Sequence, residues 1–328
     1  MNRRRFLLTA LGCGGWVTFA LANASAQARA GFAAHTFGET VGTEPFARVD
    51  RIAEGVWAVV SDATRGNAQT VSNAGIIAGK DATLVIEGTN SAEGGAWIAG
   101  LAKELTGRAP DYVVLTHHHP DHSNGACAAC AAAQTKLVSL AASRRLLLGR
   151  QPVAELPAAG PDGFASIGTK VLVPDTVIPD GSGAVPLDLG GRTVRLVPRI
   201  GHTPGDLTVE LDDPRVVWTG DLCFNGLFPF YGDAIPSKLG ETANRLLTEK
   251  GALFVPGHGS LAKAEDLAPY LALLEHVGEA AKAAHAAGTP AEKAWESYQI
   301  PESLGEWKRF RPDVYRFAFE AWERELKG

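Results

Sequence analysis

Basic charge is scarce in this chain of 328 residues: 31 lysines and arginines stand against 36 acidic residues, a formal net charge of -5. That balance leaves no electropositive footprint for a nucleic acid. No polybasic run follows the first residues, and no long apolar run follows about Ala22, so nothing past the N-terminus would hold the mature chain in a membrane. Internal repeats and low-complexity segments are also missing. What remains, 45% hydrophobic and 20% charged, is the balance of an ordinary soluble globular protein. The length suits one large α/β domain or two smaller ones. Most of the 37 glycines fall in short turn-like clusters, which fits a loop-rich α/β architecture better than a helical bundle.

The first residues read as an address. Arg3-Arg4-Arg5-Phe6-Leu7 matches a twin-arginine export signal, an arginine pair followed after one residue by two apolar ones. The apolar stretch from Phe6 to about Ala22 contains Gly12, Gly14 and Gly15 and is too weak for a stable membrane span. Ala22-Asn23-Ala24, Ala24-Ser25-Ala26 and Ala26-Gln27-Ala28 offer overlapping small-residue cleavage sites. An arginine-rich general secretory signal is the competing reading. A lipoprotein anchor at Cys13 fits poorly, because so few apolar residues precede it. Residues 1–28 therefore read as signal peptide, and the mature protein as periplasmic, with a small-molecule substrate and no membrane association after signal removal.

A linker over 29–48 leads into alternating strands and helices. Residues 56–60, 74–78 and 83–86 read as short strands bounded by Gly, Asn and Asp. A helix follows over 92–105, with Ser91 as N-cap and Gly107 just past its end. Residues 111–116 form a buried strand that stops at a run of histidines. A small-residue helix to about Ala133, a strand over 136–139 and a helix over 141–148 come next. The Pro- and Gly-rich stretch 151–169 reads as a surface loop. Strands resume over 170–173, 193–197, 207–211, 216–218 and 252–255, and the chain is helical from about Lys263. Thr289-Pro290-Ala291-Glu292 carries a capping-box pattern with proline at the first helical position. Such an order suggests α/β architecture with two sheets packed face to face and helices outside, a domain over 49–275 and a helical extension over 276–328.

The chemistry is concentrated in Thr116-His117-His118-His119-Pro120-Asp121-His122. In an extended segment, residues two apart point the same way, so His117 and His119 can present both imidazoles to one metal while His118 faces elsewhere. Pro120 then turns the chain, aiming Asp121 and His122 at a second position. Three more polar residues lie at strand ends: His202 in Gly201-His202-Thr203-Pro204-Gly205-Asp206, Asp221 in Thr219-Gly220-Asp221, and His258 in Pro256-Gly257-His258-Gly259. Each follows a glycine, which lets the backbone turn sharply. Imidazole and carboxylate suit Zn²⁺, and two such ions about 3.5–4 Å apart can polarise a substrate oxygen and hold a hydroxide between them.

This set of five histidines and two aspartates resembles the full ligand set of the metallo-β-lactamase fold superfamily, over about residues 48–274. The resemblance implies an αββα sandwich with two Zn²⁺ at one edge, iron or manganese being the other candidates. It implies His117, His119 and His202 on the first metal, Asp121, His122 and His258 on the second, and Asp221 bridging. It further implies attack by a hydroxide held between the metals, with Asp121 orienting it. One departure is Ile86-Glu87-Gly88-Thr89, where the family commonly has Asp-Thr-Gly; Glu87 would take over the supporting acidic role from a longer side chain.

A bridging aspartate at Asp221 is the pattern of the thioesterase, lactonase and phosphodiesterase members, so the expected activity is hydrolysis of an ester, thioester, lactone or related substrate. The alternatives are a β-lactamase-type amide hydrolase and a mononuclear iron enzyme similar to persulfide dioxygenases. The segment 222–229 and the exported start resemble exported metallohydrolases associated with quinoprotein dehydrogenase or sulfur-oxidation systems. Asn225 and Tyr231, just past a ligand, are candidate pocket residues, packing or capping being the competing role for each. Cys127-Ala128-Ala129-Cys130 has the spacing of a disulfide or redox pair, though two small apolar residues on a packed helix would read the same way. Cys223 lies two residues from Asp221 and, in a regular strand, would point the same way.

Overall fold

Alternation along the strands sorts the side chains into layers. In the computed structural model, which describes residues 37–62, 70–132, 134–150, 174 and 176–328, strands β1 (Glu39–Thr43), β2 (Ala47–Ala53), β3 (Val56–Ser61), β4 (Ala74–Ala78), β5 (Thr83–Ile86), β6 (Tyr112–Val114), β7 (Lys136–Leu140) and β8 (Thr176–Ile178) form one sheet in chain order. Pairing is antiparallel from β1 to β5 and parallel from β5 to β8. A second sheet holds β9 (Val185–Asp188), β10 (Thr193–Arg199), β11 (Asp206–Asp212), β12 (Arg215–Asn225) and β13 (Leu253–Gly259), again in chain order. Its strands are antiparallel except β12 and β13, which run parallel.

Successive residues on a strand face opposite sides, and three separate cores result. Val56, Ala58, Leu84 and Ile86 meet Val209, Val216 and Trp218 between the two sheets. Their neighbours Trp57, Val59 and Val85 face outward, onto Ile98 and Ala102 of α1 (Ala92–Thr106). On the far side of the second sheet, Val217 and Phe254 pack against α5 (Pro236–Leu247), α6 (Ala268–Ala286) and α8 (Val314–Lys327) through Leu239, Leu273 and Phe319. The order is helix, sheet, sheet, helix. The αββα sandwich with C-terminal helices expected from the sequence is the observed architecture.

Trp218 is the largest side chain in the central layer and only 2% exposed. Its indole N–H donates to Ala74 O at 3.3 Å across the sheets. Gly75 supplies the room, since a Cβ there would collide with the indole. α1 begins and ends where its sequence dictates: Ser91 Oγ accepts from Gly94 N at 3.1 Å, and Gly107 closes the helix at φ 75°.

Several expectations change. Strand β1 and the start of β2 fall inside the stretch 29–48 read as linker, and the boundary expected at 275 lies inside α6, so the C-terminal helices are part of one packed layer. The helix expected up to Ala133 is two short turns, α2 (Pro120–Ser123) and α3 (Ala126–Ala129), separated by Gly125. A further helix, α4, spans Ala141–Arg150. The expected capping box at Thr289 does not form; α7 (Ala291–Ala294) starts after Pro290 as N-cap, without a side-chain cap bond. The signal peptide over 1–28, the loop over 151–169 and the strand over 170–173 lie outside the described residues. No helix among the described residues is long and apolar enough to cross a membrane.

Candidate metal centre

Both sheets end on the same edge of the sandwich, and there the polar strand ends converge. Past β6 the chain bends over Thr116–His118 and reaches His119, which acts as N-cap at φ -62° and ψ 152° with Pro120 opening α2. Asp121 and His122 therefore sit in the first turn of that helix. Ser123 Oγ donates back to His119 O at 2.8 Å and Ser72 Oγ donates to Asp121 O at 2.7 Å, which fixes the turn. His202 lies between β10 and β11, in a turn closed by Asp206, whose carboxylate accepts from Thr203 N at 3.0 Å and Thr203 Oγ1 at 2.7 Å. Burial pushes the Asp206 carboxyl up to about 7 against those donated bonds. Asp221 and His258 come from the parallel pair β12 and β13.

The glycines before the ligands act in different ways. Gly220 adopts φ 50°, which a side chain disfavours. Gly257 makes room, because a Cβ there would collide with Asp221 Oδ1.

Two donor groups meet at Asp221. In the first, His119 Nδ1 lies 3.1 Å from His117 Nε2 and 2.9 Å from His202 Nε2, and Asp221 Oδ2 lies 3.2 Å from His202 Nε2. In the second, His258 Nε2 lies 3.1 Å and His122 Nε2 3.5 Å from Asp121 Oδ2. Asp221 Oδ1 faces that second group, 3.2 Å from His122 Nε2 and 3.4 Å from His258 Nε2. Asp221 Oδ1 and His122 Nε2 are both buried without a hydrogen-bond partner among the described residues.

Three imidazole nitrogens packed this closely cannot all be satisfied by sharing protons, whereas one cation about 2.0–2.1 Å from each would satisfy them together. The residues present fit a pair of metal ions. His117, His119, His202 and Asp221 would hold one; Asp121, His122 and His258, with the other oxygen of Asp221, would hold the second.

The metallo-β-lactamase superfamily model matches residues 68–258, more than half of the chain. The chain belongs to the metallo-β-lactamase superfamily. Among solved structures, a metallo-β-lactamase from Pontibacter korlensis shares 19% identity at a TM-score of 0.56, covering 70% of this chain and 99% of its own. The DIM-1 metallo-β-lactamase shares 17% at 0.54, covering 71% and 98%. A stereoselective inverting sec-alkylsulfatase from a Pseudomonas species shares 16% at 0.60, covering 85% of this chain and half of the sulfatase. No curated protein matches the sequence.

Superfamily membership does not by itself reveal the groups that hold the ligands in place. Glu87 accepts from Thr116 Oγ1 at 2.5 Å, and its carboxylate lies 3.1 Å from His122 Nδ1, behind that ring. Glu87 and Thr89 adopt φ 75° and φ 63°, and Val71 adopts φ 62°, a conformation costly for a β-branched residue. Val71 precedes Asn73, whose amide donates to Pro256 O and Gly259 O at 2.8 Å each, tying β4 to the His258 loop.

Asp233 had no sequence signal at all. Its Oδ2 lies 3.0 Å from His119 Nε2 and 3.2 Å from His118 Nε2, so it fixes the tautomer that leaves His119 Nδ1 to face the first group. The same contact accounts for His118, which points away from the donor groups. Asp233→Asn is expected to weaken metal binding ~10–100-fold, the usual loss for such a partner. Chelator competition would measure it, and unchanged affinity would refute the role.

Three candidates near Asp221 are buried among their neighbours. The β12–β13 register shifts between Trp218 and Gly220 and again between Gly220 and Phe224, so two-residue alternation fails there. Cys223 is turned into the core beneath the helices, where burial pushes its thiol up to about 12. Asn225 is 5% exposed and donates to Ser260 O at 3.0 Å, and Tyr231 is 1% exposed beside Phe228. Of the Cys127–Cys130 pair, Cys127 Sγ lies 3.8 Å from Asn124 O and Cys130 packs half-buried on the outer core of the first sheet.

Charge divides the two groups. Burial keeps His117 low and His202 at about 3, the neighbouring carboxylate of Asp221 notwithstanding. Burial would also lower His258 and His122, but Asp221 and Asp121 outweigh it, raising His258 to about 9 and His122 well above its ordinary range. Protons on these two rings stand where a cation would neutralise the carboxylates.

The pH dependence of the metal-free protein follows. The raised pair stabilises the fold fully below the ordinary value of 6.5, and that contribution is lost as pH rises through about 9. The depressed His202 works oppositely, its contribution being lost as pH falls from 6.5 toward 3. Metal-free protein is expected to lose stability as pH rises from 6.5 through about 9, and metal-loaded protein to lose that alkaline decline. Equal alkaline slopes with and without metal in thermal melts would refute this.

Proposed function

We propose that this chain is a dinuclear zinc hydrolase acting outside the cytoplasm on an ester, thioester, lactone or related small substrate. The observation that carries this reading is the position of Asp221, one carboxylate with an oxygen toward each donor group. Imidazole and carboxylate donors without a thiolate favour zinc among the common ions. Two such ions would supply Lewis acidity and a water that ionises near neutral pH.

The chain's own residues do the rest. Asp121 is the exposed member of the second group, its side chain 24% accessible, whereas Asp221 is 4% accessible. Burial would raise Asp121, but His122 and His258 hold it well below the usual carboxylate range. It thus stays ionised at the opening, where it can accept a hydrogen bond from water and orient it toward a substrate. His117, His119 and His202 are buried, the first two backed by Thr116 Oγ1 and Asp233, so they would form the floor against which a carbonyl or sulfuryl oxygen rests. The arginine pair at Arg3-Arg4 and the cleavage sites after it support export to the periplasm.

Metal analysis together with a screen of esters, thioesters, lactones, β-lactams, phosphodiesters and sulfate esters tests the reading. Two zinc ions per chain and turnover of an acyl substrate are expected. One iron per chain with oxygen consumption would overturn it, and cleavage of β-lactams alone would overturn the inference from Asp221. Sulfate esters form the second reading. The sulfatase match extends over 85% of this chain, against 70% and 71% for the lactamases, so it takes in more than the lactamase portion.

A further inference from the structure

We infer that Phe310 forms the substrate-facing wall beside the second donor group, and that the substrate carries an apolar group next to the bond that is cut. The inference rests on the hydrolase reading above and names the chemistry of the same site's substrate.

Phe310 belongs to the C-terminal region, outside the segment that matches the superfamily model. Its ring centroid lies 5.2 Å from that of His258, edge-on at 73°, and 6.1 Å from that of Phe224, which itself stacks on His258 at 5.2 Å. Phe310 is nevertheless 40% exposed, one of the few large apolar side chains so placed among the described residues. A lone exposed apolar residue is ordinary. One held edge-on against a ring of the candidate centre is not.

The segment is fastened in place. Lys308 bridges to Leu227 in parallel, with Lys308 N donating to Gly226 O at 3.1 Å and Phe228 N donating to Lys308 O at 2.8 Å. Trp307, just before, is buried and its indole donates to Leu304 O at 2.9 Å. Anchored on one side, the chain brings Phe310 against His258, whose Nε2 lies 3.1 Å from Asp121 Oδ2.

The next residues continue the wall. The Arg311 guanidinium lies 4.9 Å over the Phe317 ring, Phe317 packs 4.9 Å from Phe230, and Phe230 lies 5.7 Å from His119. Aromatic rings thus flank His258 of one group, through Phe310, and His119 of the other, through Phe230, with the Arg311 guanidinium on Phe317 between them. An alkyl or aryl group lying against Phe310 would be taken out of water by it.

The test uses cobalt-loaded full-length mature protein and a series of n-alkyl thiols from ethanethiol to hexanethiol, followed by the thiolate-to-cobalt absorption. The thiolate would anchor on the metal, so the chain reports on the wall. Wild-type affinity is expected to rise roughly threefold for each added CH₂. In Phe310→Ala most of that chain-length dependence should vanish, the loss being smallest for ethanethiol and growing with each carbon, while Phe310→Leu keeps most of it. A Phe310→Ala slope equal to wild type, or Phe310→Leu as flat as Phe310→Ala, overturns the inference. Failure of any thiol to perturb the cobalt spectrum would instead sink the metal reading beneath it, and this inference with it.

Discussion

Replacing Asp221 by asparagine is expected to abolish activity to below roughly a thousandth of wild type, because it strikes both donor groups at once. Loss of a partner that merely supports a ligand costs about 10–100-fold, and a shared ligand should cost more. Asp221 Oδ2 lies 3.2 Å from His202 and Oδ1 3.2 Å from His122, so no other single substitution touches both groups so directly. Asparagine keeps the shape but removes the charge, leaving His122 and His258 with Asp121 and Glu87 as their acidic neighbours. Metal content should fall from two ions per chain to one or none while the circular dichroism spectrum stays native. Two retained ions in the variant would show that Asp221 is not shared in the way its position suggests.

Trp218→Ala should be the most damaging change to stability. Truncating a buried aromatic of this size costs about 3–5 kcal/mol, from the lost transfer energy plus the cavity left behind. Domains commonly have only about 5–15 kcal/mol in hand. The site cannot collapse easily, because Gly75 opposite has no side chain to fill the void. The hydrogen bond to Ala74 O is lost as well, leaving that carbonyl with one partner fewer between the sheets. Denaturant titration would give the value; a loss under about 1 kcal/mol would mean that the two sheets repack around the gap.

The two residues differ in how far their roles can be read from a single chain. Asp221 was legible because its chemistry and its setting coincide: a carboxylate after a glycine, at the end of an apolar strand, in order with His117, His119, Asp121, His122, His202 and His258. The layers were legible for a similar reason, since apolar runs such as 83–86 and 216–218 fit strands buried on both faces. Trp218 itself reads only as apolar; that it bridges to Ala74 depends on a pairing 144 positions away.

Asp233, Ser72 and Asn73 escaped for the same reason. Each acts on a partner far along the chain, and none sits in a motif. Cys223 misled through a different failure. The alternation rule assumes a regular ladder, and the bulged register around Gly220 rotates every later side chain of β12 off the expected face. Phe310 was invisible because nothing in Lys308-Arg309-Phe310-Arg311 distinguishes a rim from an ordinary exposed turn.

Each sheet is made of consecutive strands, the first from the N-terminal part of the chain, residues 39–178, and the second from the part that follows, residues 185–259. Strand pairing within a sheet is therefore mostly between sequence neighbours, and each part can form with little loop-closure cost. The donor groups are different: His117, His119, Asp121 and His122 come from one part, and His202, Asp221 and His258 from the other. High-affinity ion uptake thus belongs to the last act of folding, when the two parts dock. An ion held with high affinity would therefore report that the two sheets have docked.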